Sequence, residues 1–127
     1  MKKNVFLLLT VLFLSCGRNA SSQSSLSPDD FETRIETGAG ILLLDVRTPE
    51  EYQGGHLQGA QNINFYDDDF EQQLARLDKT GTVLVYCEKG GRSASAAEQL
   101  TRSGFKNVFD LSGGIQAWKK AGKPVVQ

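Results

Sequence analysis

The sequence predicts an α/β layer fold, one domain built on a mostly parallel sheet. Ile41–Val46 and Thr82–Cys87 are near-continuous apolar runs, as expected of strands buried on both faces. Segments with helical periodicity separate the strands, so the two element types alternate. At 127 residues the chain has room for one core and little for a second.

In chain order, Ser27-Pro28-Asp29-Asp30 opens a helix. It has a capping serine, a proline at the first position and acid in the first turn. Phe31 and Ile35 share its inner face, and Gly38 ends it. Ile41–Val46 is the first buried strand. Thr48–Gly55 reads as a short capped helix ending in glycine, and Ala60–Phe65 as a short strand. Asp67–Leu77 reads as a helix with an acidic start, with Phe70, Leu74 and Leu77 on one face. Thr82–Cys87 is the second buried strand. Ser93–Gly104 is a helix, Lys106–Leu111 a strand and Gly114–Gly122 a last short helix. Functional loops in such sheets follow the carboxyl ends of strands, which selects the loops after Leu44, Tyr86 and Leu111. No internal repeat is visible.

A net charge of −1 implies no basic face, which argues against a nucleic-acid partner. Residues before the first helix read differently from the rest. Met1-Lys2-Lys3 is followed by apolar Val5–Leu14, interrupted only by Thr10. This is the layout of a secretory signal, too short to span a bilayer. The run "LFLSCG" resembles the lipobox of bacterial lipoproteins, although Phe13 and Leu14 depart from the usual residues. That resemblance implies a signal peptide over 1–15 and a lipid on Cys16. It also implies a membrane-anchored protein on the periplasmic side of a bacterial membrane. Without Lys2 and Lys3 the net charge moves from −1 to −3. Residues 16–26 then form the lipidated cysteine and a Ser/Asn/Gln-rich flexible linker, and the folded domain occupies 27–127. With Cys16 committed to lipid, Cys87 is a free thiol in an oxidising compartment, a liability unless it is used or buried.

Cys87-Glu88-Lys89-Gly90-Gly91-Arg92 joins a strand to a helix. Backbone N–H groups of such a loop can converge on one point, and Gly90 and Gly91 permit the dihedrals this needs. The following helix adds its positive end. A thiolate at the loop centre would be stabilised, with Lys89 and Arg92 adding positive charge. Glu88 opposes them and is expected to point to solvent.

Three segments in order resemble the single-domain rhodaneses, a sulfurtransferase family. They are "LLDVRTPEEYQGGHLQGAQNIN", "YCEKGGRSASAA" and "LSGGIQAW". The likeness runs from Ser27 to about Pro124; Gln58 and Asn64 stand where proline is common. It implies a five-stranded sheet with helices on both faces. It also implies a catalytic Cys87 that takes sulfane sulfur from a small anionic donor such as thiosulfate, becomes a persulfide, and passes the sulfur to cyanide or a thiol. The amides of Glu88 to Arg92 would cradle the terminal sulfur, and no metal or organic cofactor is needed. Arg92 would hold the loop and favour anionic donors, with Lys89 assisting. Asp45 and Arg47 would brace the active loop, and Glu51 would pair with a nearby arginine. His56 and Trp118 are structural in this reading. Certain dual-specificity phosphatases share the fold, but their cysteine–arginine loop is one residue longer. A lipid-anchored redox-sensing or binding module without turnover is the alternative function. The sequence leaves any protein partner unknown.

Overall fold

The computed structural model describes residues 22–127. The signal-like segment 1–15, Cys16 and residues 17–21 of the expected linker lie outside the described residues. The elements run β1 (Ser22–Leu26), α1 (Pro28–Thr37), β2 (Ile41–Asp45), α2 (Pro49–Gln53), β3 (Gln61–Asn62), α3 (Phe70–Ala75), β4 (Thr82–Tyr86), α4 (Gly91–Arg102), β5 (Asn107–Leu111) and α5 (Gly114–Lys120). The five strands form one sheet in the order β1-β5-β4-β2-β3, and every pairing is parallel.

Both faces are covered, which is why β2 is apolar up to Asp45 and β4 is apolar after Thr82. On one side α3 and α4 bring Phe70, Leu74, Ala96, Ala97 and Leu100 against Leu44, Val83 and Val85. On the other, Phe31 of α1 and Ile115 and Trp118 of α5 pack against Leu43, Leu84 and Phe109. Truncating a fully buried leucine such as Leu84 to alanine costs about 2–5 kcal/mol. Local signals set the helix ends as read from the sequence. Ser27 Oγ accepts from Asp30 N at 3.2 Å, and Gly38 caps α1 by donating to Arg34 O. Thr48 and Glu51 form a reciprocal capping box at the start of α2.

The linker expectation is corrected at its end. Ser22–Leu26 are β1, pairing along β5 from Ser22↔Asn107 to Leu26↔Leu111. Their composition is polar because β1 is an edge strand with Ser24 and Ser25 exposed; backbone pairing, not side-chain burial, holds it. The ordered domain therefore starts at least five residues earlier than the expected boundary at Ser27. β1 also reaches the functional end of the sheet, where Leu26 O accepts from Ser112 N at 2.8 Å.

Candidate active site

All three loops selected from the sequence meet at the carboxyl edge of the sheet. Cys87 follows β4 directly and is buried. The loop then turns through Gly90, whose φ of 111° is a conformation side-chain-bearing residues rarely adopt, and enters α4 at Gly91. The turn folds the chain back, so that Gly90 N donates to Cys87 Sγ at 3.1 Å. The first amides of α4 have no partner within the helix, and the helix brings its positive end to the same place.

The loop after β5 fixes this arrangement. Ile115 N donates to Cys87 O at 2.9 Å and Gln116 N to Glu88 O at 3.1 Å. In a trans peptide the carbonyl and the following N–H point opposite ways. Drawing those two oxygens toward α5 turns the N–H groups of Glu88 and Lys89 away from it. Gly113 and Gly114 make the approach possible, with φ of 75° and 63°.

The loop after β2 supplies the flank. Asp45 Oδ1 accepts from Arg47 N at 2.9 Å, and Asp45 Oδ2 accepts from Arg47 Nη2 at 2.8 Å. Arg47 also donates to Gly55 O at 2.6 Å and reaches Glu88 Oε2 at 3.3 Å. Burial opposes the charge of Arg47, but the hydrogen bond and charge of Asp45 outweigh it and hold the guanidinium firmly protonated. Burial, with the Asp45 charge nearby, pushes the Tyr86 phenol far above its ordinary range. Tyr86 is thus a neutral strut, its hydroxyl accepting from Leu57 N at 3.0 Å.

Two expectations for the loop change. Glu88 does not simply face solvent: one oxygen pairs with Arg47, and the other accepts from Gln116 Nε2 at 3.2 Å. Its charge is therefore spent on tying the loop to its neighbours. Arg92 is no free anion-binding cation. It grips Glu51 with two hydrogen bonds, Nη1 to Oε1 at 2.8 Å and Nη2 to Oε2 at 2.9 Å. The Arg92 hydrogen bonds hold the Glu51 carboxyl at about 2, so the pair stays ionised at every physiological pH. Lys89 is exposed and, among the described residues, forms no ion pair.

His56 sits apart from this cluster. Its Nδ1 lies 2.9 Å from Tyr52 O, its ring stacks on Tyr52, and its backbone pairs with Val126. Trp118 packs edge-on against Phe31 and donates to Pro124 O at 2.9 Å. Sequence reasoning does not single out Ser93 and Asp110, yet both lie beside Cys87. Ser93 Oγ is 3.4 Å from Cys87 Sγ and hydrogen-bonded to Asp110 Oδ1. The available signal was an aspartate inside the otherwise apolar strand "VFDL".

Comparisons with known proteins agree with this geometry. The rhodanese-like domain family model matches residues 27–121. Thiosulfate sulfurtransferase 16 of Arabidopsis thaliana chloroplasts is 38% identical over 96 residues, covering 68% of this chain and 80% of that protein. The probable adenylyltransferase/sulfurtransferase MoeZ of Mycobacterium tuberculosis is 34% identical over 105 residues. That match takes in 83% of this chain but only 27% of MoeZ, so the chain spans about a quarter of that relative's length. A rhodanese-related protein from Thermoplasma volcanium superposes with a TM-score of 0.72 at 32% identity, covering 81% of this chain and 97% of that one. A parallel five-stranded sheet, the cysteine loop at its carboxyl edge and the extent of these matches lead to one assignment: the chain belongs to the rhodanese-like domain family, several of whose curated relatives are named sulfurtransferases.

Proposed function

We propose that the protein is a sulfurtransferase that carries sulfane sulfur as a persulfide on Cys87. The observation that carries this reading is the Gly90 N–H aimed at Sγ from 3.1 Å, at the positive end of α4. A donor directed at this position suits the anionic terminal sulfur of a persulfide. In the first half-reaction the Cys87 thiolate attacks the sulfane sulfur of a thiosulfate-like donor. A new S–S bond forms on Cys87, the donor's S–S bond breaks, and sulfite leaves with the electron pair. In the second, cyanide or a thiolate takes the terminal sulfur and Cys87 regains its electron pair. Lys89 draws in the anionic donor. Glu88, Arg92, Asp45 and Arg47 keep the loop in shape.

Mass spectrometry after exposure to thiosulfate tests this directly. Cys87 is expected to gain the mass of one sulfur atom and to lose it on addition of cyanide. A chain that stays unmodified with thiosulfate, polysulfide and protein persulfides is instead a sensor or binding module. Only four residues separate Cys87 from Arg92, a ring sized for one sulfur atom, so hydrolysis of aryl phosphates is expected to be negligible. Phosphatase turnover matching sulfur transfer would refute the assignment.

We further propose that the chain is exported and lipid-anchored through Cys16 on the periplasmic side of a bacterial membrane. The support is the basic start, the apolar run and the cysteine behind it. With β1 starting at Ser22, the span from Cys16 is at most about 20 Å, which would hold the domain close to the lipid surface. Incorporation of labelled palmitate that disappears in Cys16→Ser is the expected result; equal labelling of both chains, or none, rejects the anchor.

A further inference from the structure

Cys87, Ser93 and Asp110 form a chain of three polar side chains leading away from the sulfur. Ser93 is completely buried and Asp110 nearly so, at 8% exposure. Ser93 Oγ lies 3.4 Å from Cys87 Sγ, is hydrogen-bonded to Asp110 Oδ1, and is 3.2 Å from Gly90 O. Among the described residues Ser93 is the sole polar partner of the Asp110 carboxyl, and no cation pairs with it. Across the sheet, Asp110 stands in register with Ser25 of β1 and Val85 of β4, neither of them titratable. The charged groups of the site lie on the Cys87 side. They are Arg92 paired with Glu51, Arg47 paired with Asp45 and Glu88, and the exposed Lys89.

A buried carboxyl with one hydroxyl for company is a costly way merely to hold that hydroxyl. A carboxylate and a thiolate on either side of one serine would also put two negative charges in a nearly dry space. Sharing a single proton removes that problem. We infer that Ser93 relays the Cys87 proton to Asp110, so that the reactive site is a thiolate backed by a neutral carboxylic acid.

Cys87 S–H passes its proton to Ser93 Oγ while Ser93 O–H passes its own to the Asp110 carboxylate. One S–H and one O–H bond break, and two O–H bonds form. The three side chains carry a net charge of −1 before and after, so no external base is consumed. The new Asp110 O–H then donates to Ser93 Oγ, freeing the serine proton to hydrogen-bond the thiolate. Burial raises the Asp110 carboxyl above the usual carboxylate range, and the Ser93 hydrogen bond opposes this less strongly. The net upward direction, set by burial, is consistent with a proton resting there. Asp110 touches no reacting atom; it is a positioning residue for the proton, and its role in turnover rests on the persulfide chemistry proposed above.

The test compares the full chain with Asp110→Asn, Ser93→Ala and the double variant. Asparagine keeps the shape and can still donate to Ser93, but it cannot take up a proton. Single-turnover sulfur uptake from thiosulfate is expected to fall about 10²-fold at neutral pH in Asp110→Asn, the lower end of the range for a lost proton transfer. It should recover toward the wild-type rate as alkaline solvent takes over the proton. Ser93→Ala should behave alike, and the double variant should lose no more than either single one. Wild-type rates in Asp110→Asn, or a deficit equal at every pH, would overturn the relay. The ultraviolet absorbance of the thiolate, read by difference against Cys87→Ser, separates this idea from the broader function. At neutral pH it should be weaker in Asp110→Asn than in wild type even if no donor yields a persulfide. Equal thiolate absorbance in the two proteins would sink the relay while leaving sulfur transfer intact.

Discussion

On the proposed function, replacing Cys87 by serine is expected to abolish sulfur transfer, with a loss of at least about 10³-fold that leaves only background, as when a covalent nucleophile is removed. Serine preserves size and can still meet the Gly90 N–H and the Ser93 hydroxyl, so the loop keeps its contacts. The hydroxyl does not ionise there at neutral pH and cannot form a persulfide. The fold is expected to survive, because Cys87 contributes only a small apolar group to the cluster formed by Val85, Ala96 and Ala97. The expected stability cost is about 1 kcal/mol. The checks are a steady-state thiosulfate–cyanide assay and a urea melt on the same preparation. Sulfur transfer retained in Cys87→Ser would show that another group carries the sulfur.

Gly114→Ala is expected to damage the site without touching a reacting residue. A Cβ at position 114 would lie 2.4 Å from Glu88 O and 2.6 Å from Lys89 N, and φ there is 63°. Both objections act on backbone atoms, which cannot swing aside as a flexible side chain can. The left-handed conformation alone costs about 1–2 kcal/mol for a residue with a side chain. The remaining clash must move the active loop or the start of α5. Either movement weakens the hydrogen bonds from Ile115 and Gln116 that set the peptide planes around Cys87. Activity is expected to fall by about 10²-fold or more while the chain still folds, since misplacement of about 1 Å has effects of that size. Kinetics, with hydrogen exchange at the Ile115 and Gln116 amides as the structural readout, check this. Unchanged exchange and unchanged kinetics would mean that the loop does not depend on this close approach.

The core strands were legible in the sequence because apolar runs buried on both faces leave a compositional mark. Thr82–Tyr86 and Ile41–Asp45 needed no other information. Helix α1 was legible because its capping serine, proline and terminal glycine act locally. β1 left no such mark. Its side chains are mostly polar, and what makes it a strand is the register with β5, eighty-five residues away at Ser22↔Asn107. The Cys87 loop was readable as a motif, since glycine placement and the helix start belong to one short segment. The partnerships of that loop were not. Glu88 meets Arg47, and Arg92 meets Glu51, each across 41 residues of chain. A charge in a sequence shows that a partner or water is needed, not which of the two it finds. Asp110 and Ser93 were hidden for the same reason: β5 and α4 become neighbours only once the sheet is assembled.

The dependence of the Cys87 loop on α5 has a consequence for synthesis on the ribosome. A growing chain exposes Cys87 well before it exposes Ile115 and Gln116, whose amides orient the ring around the sulfur. Until those residues emerge, the thiol is present but the hydrogen bonds that orient its loop are not. On the proposed function, a product clipped before Ile115 is therefore expected to carry the cysteine without the power to load it.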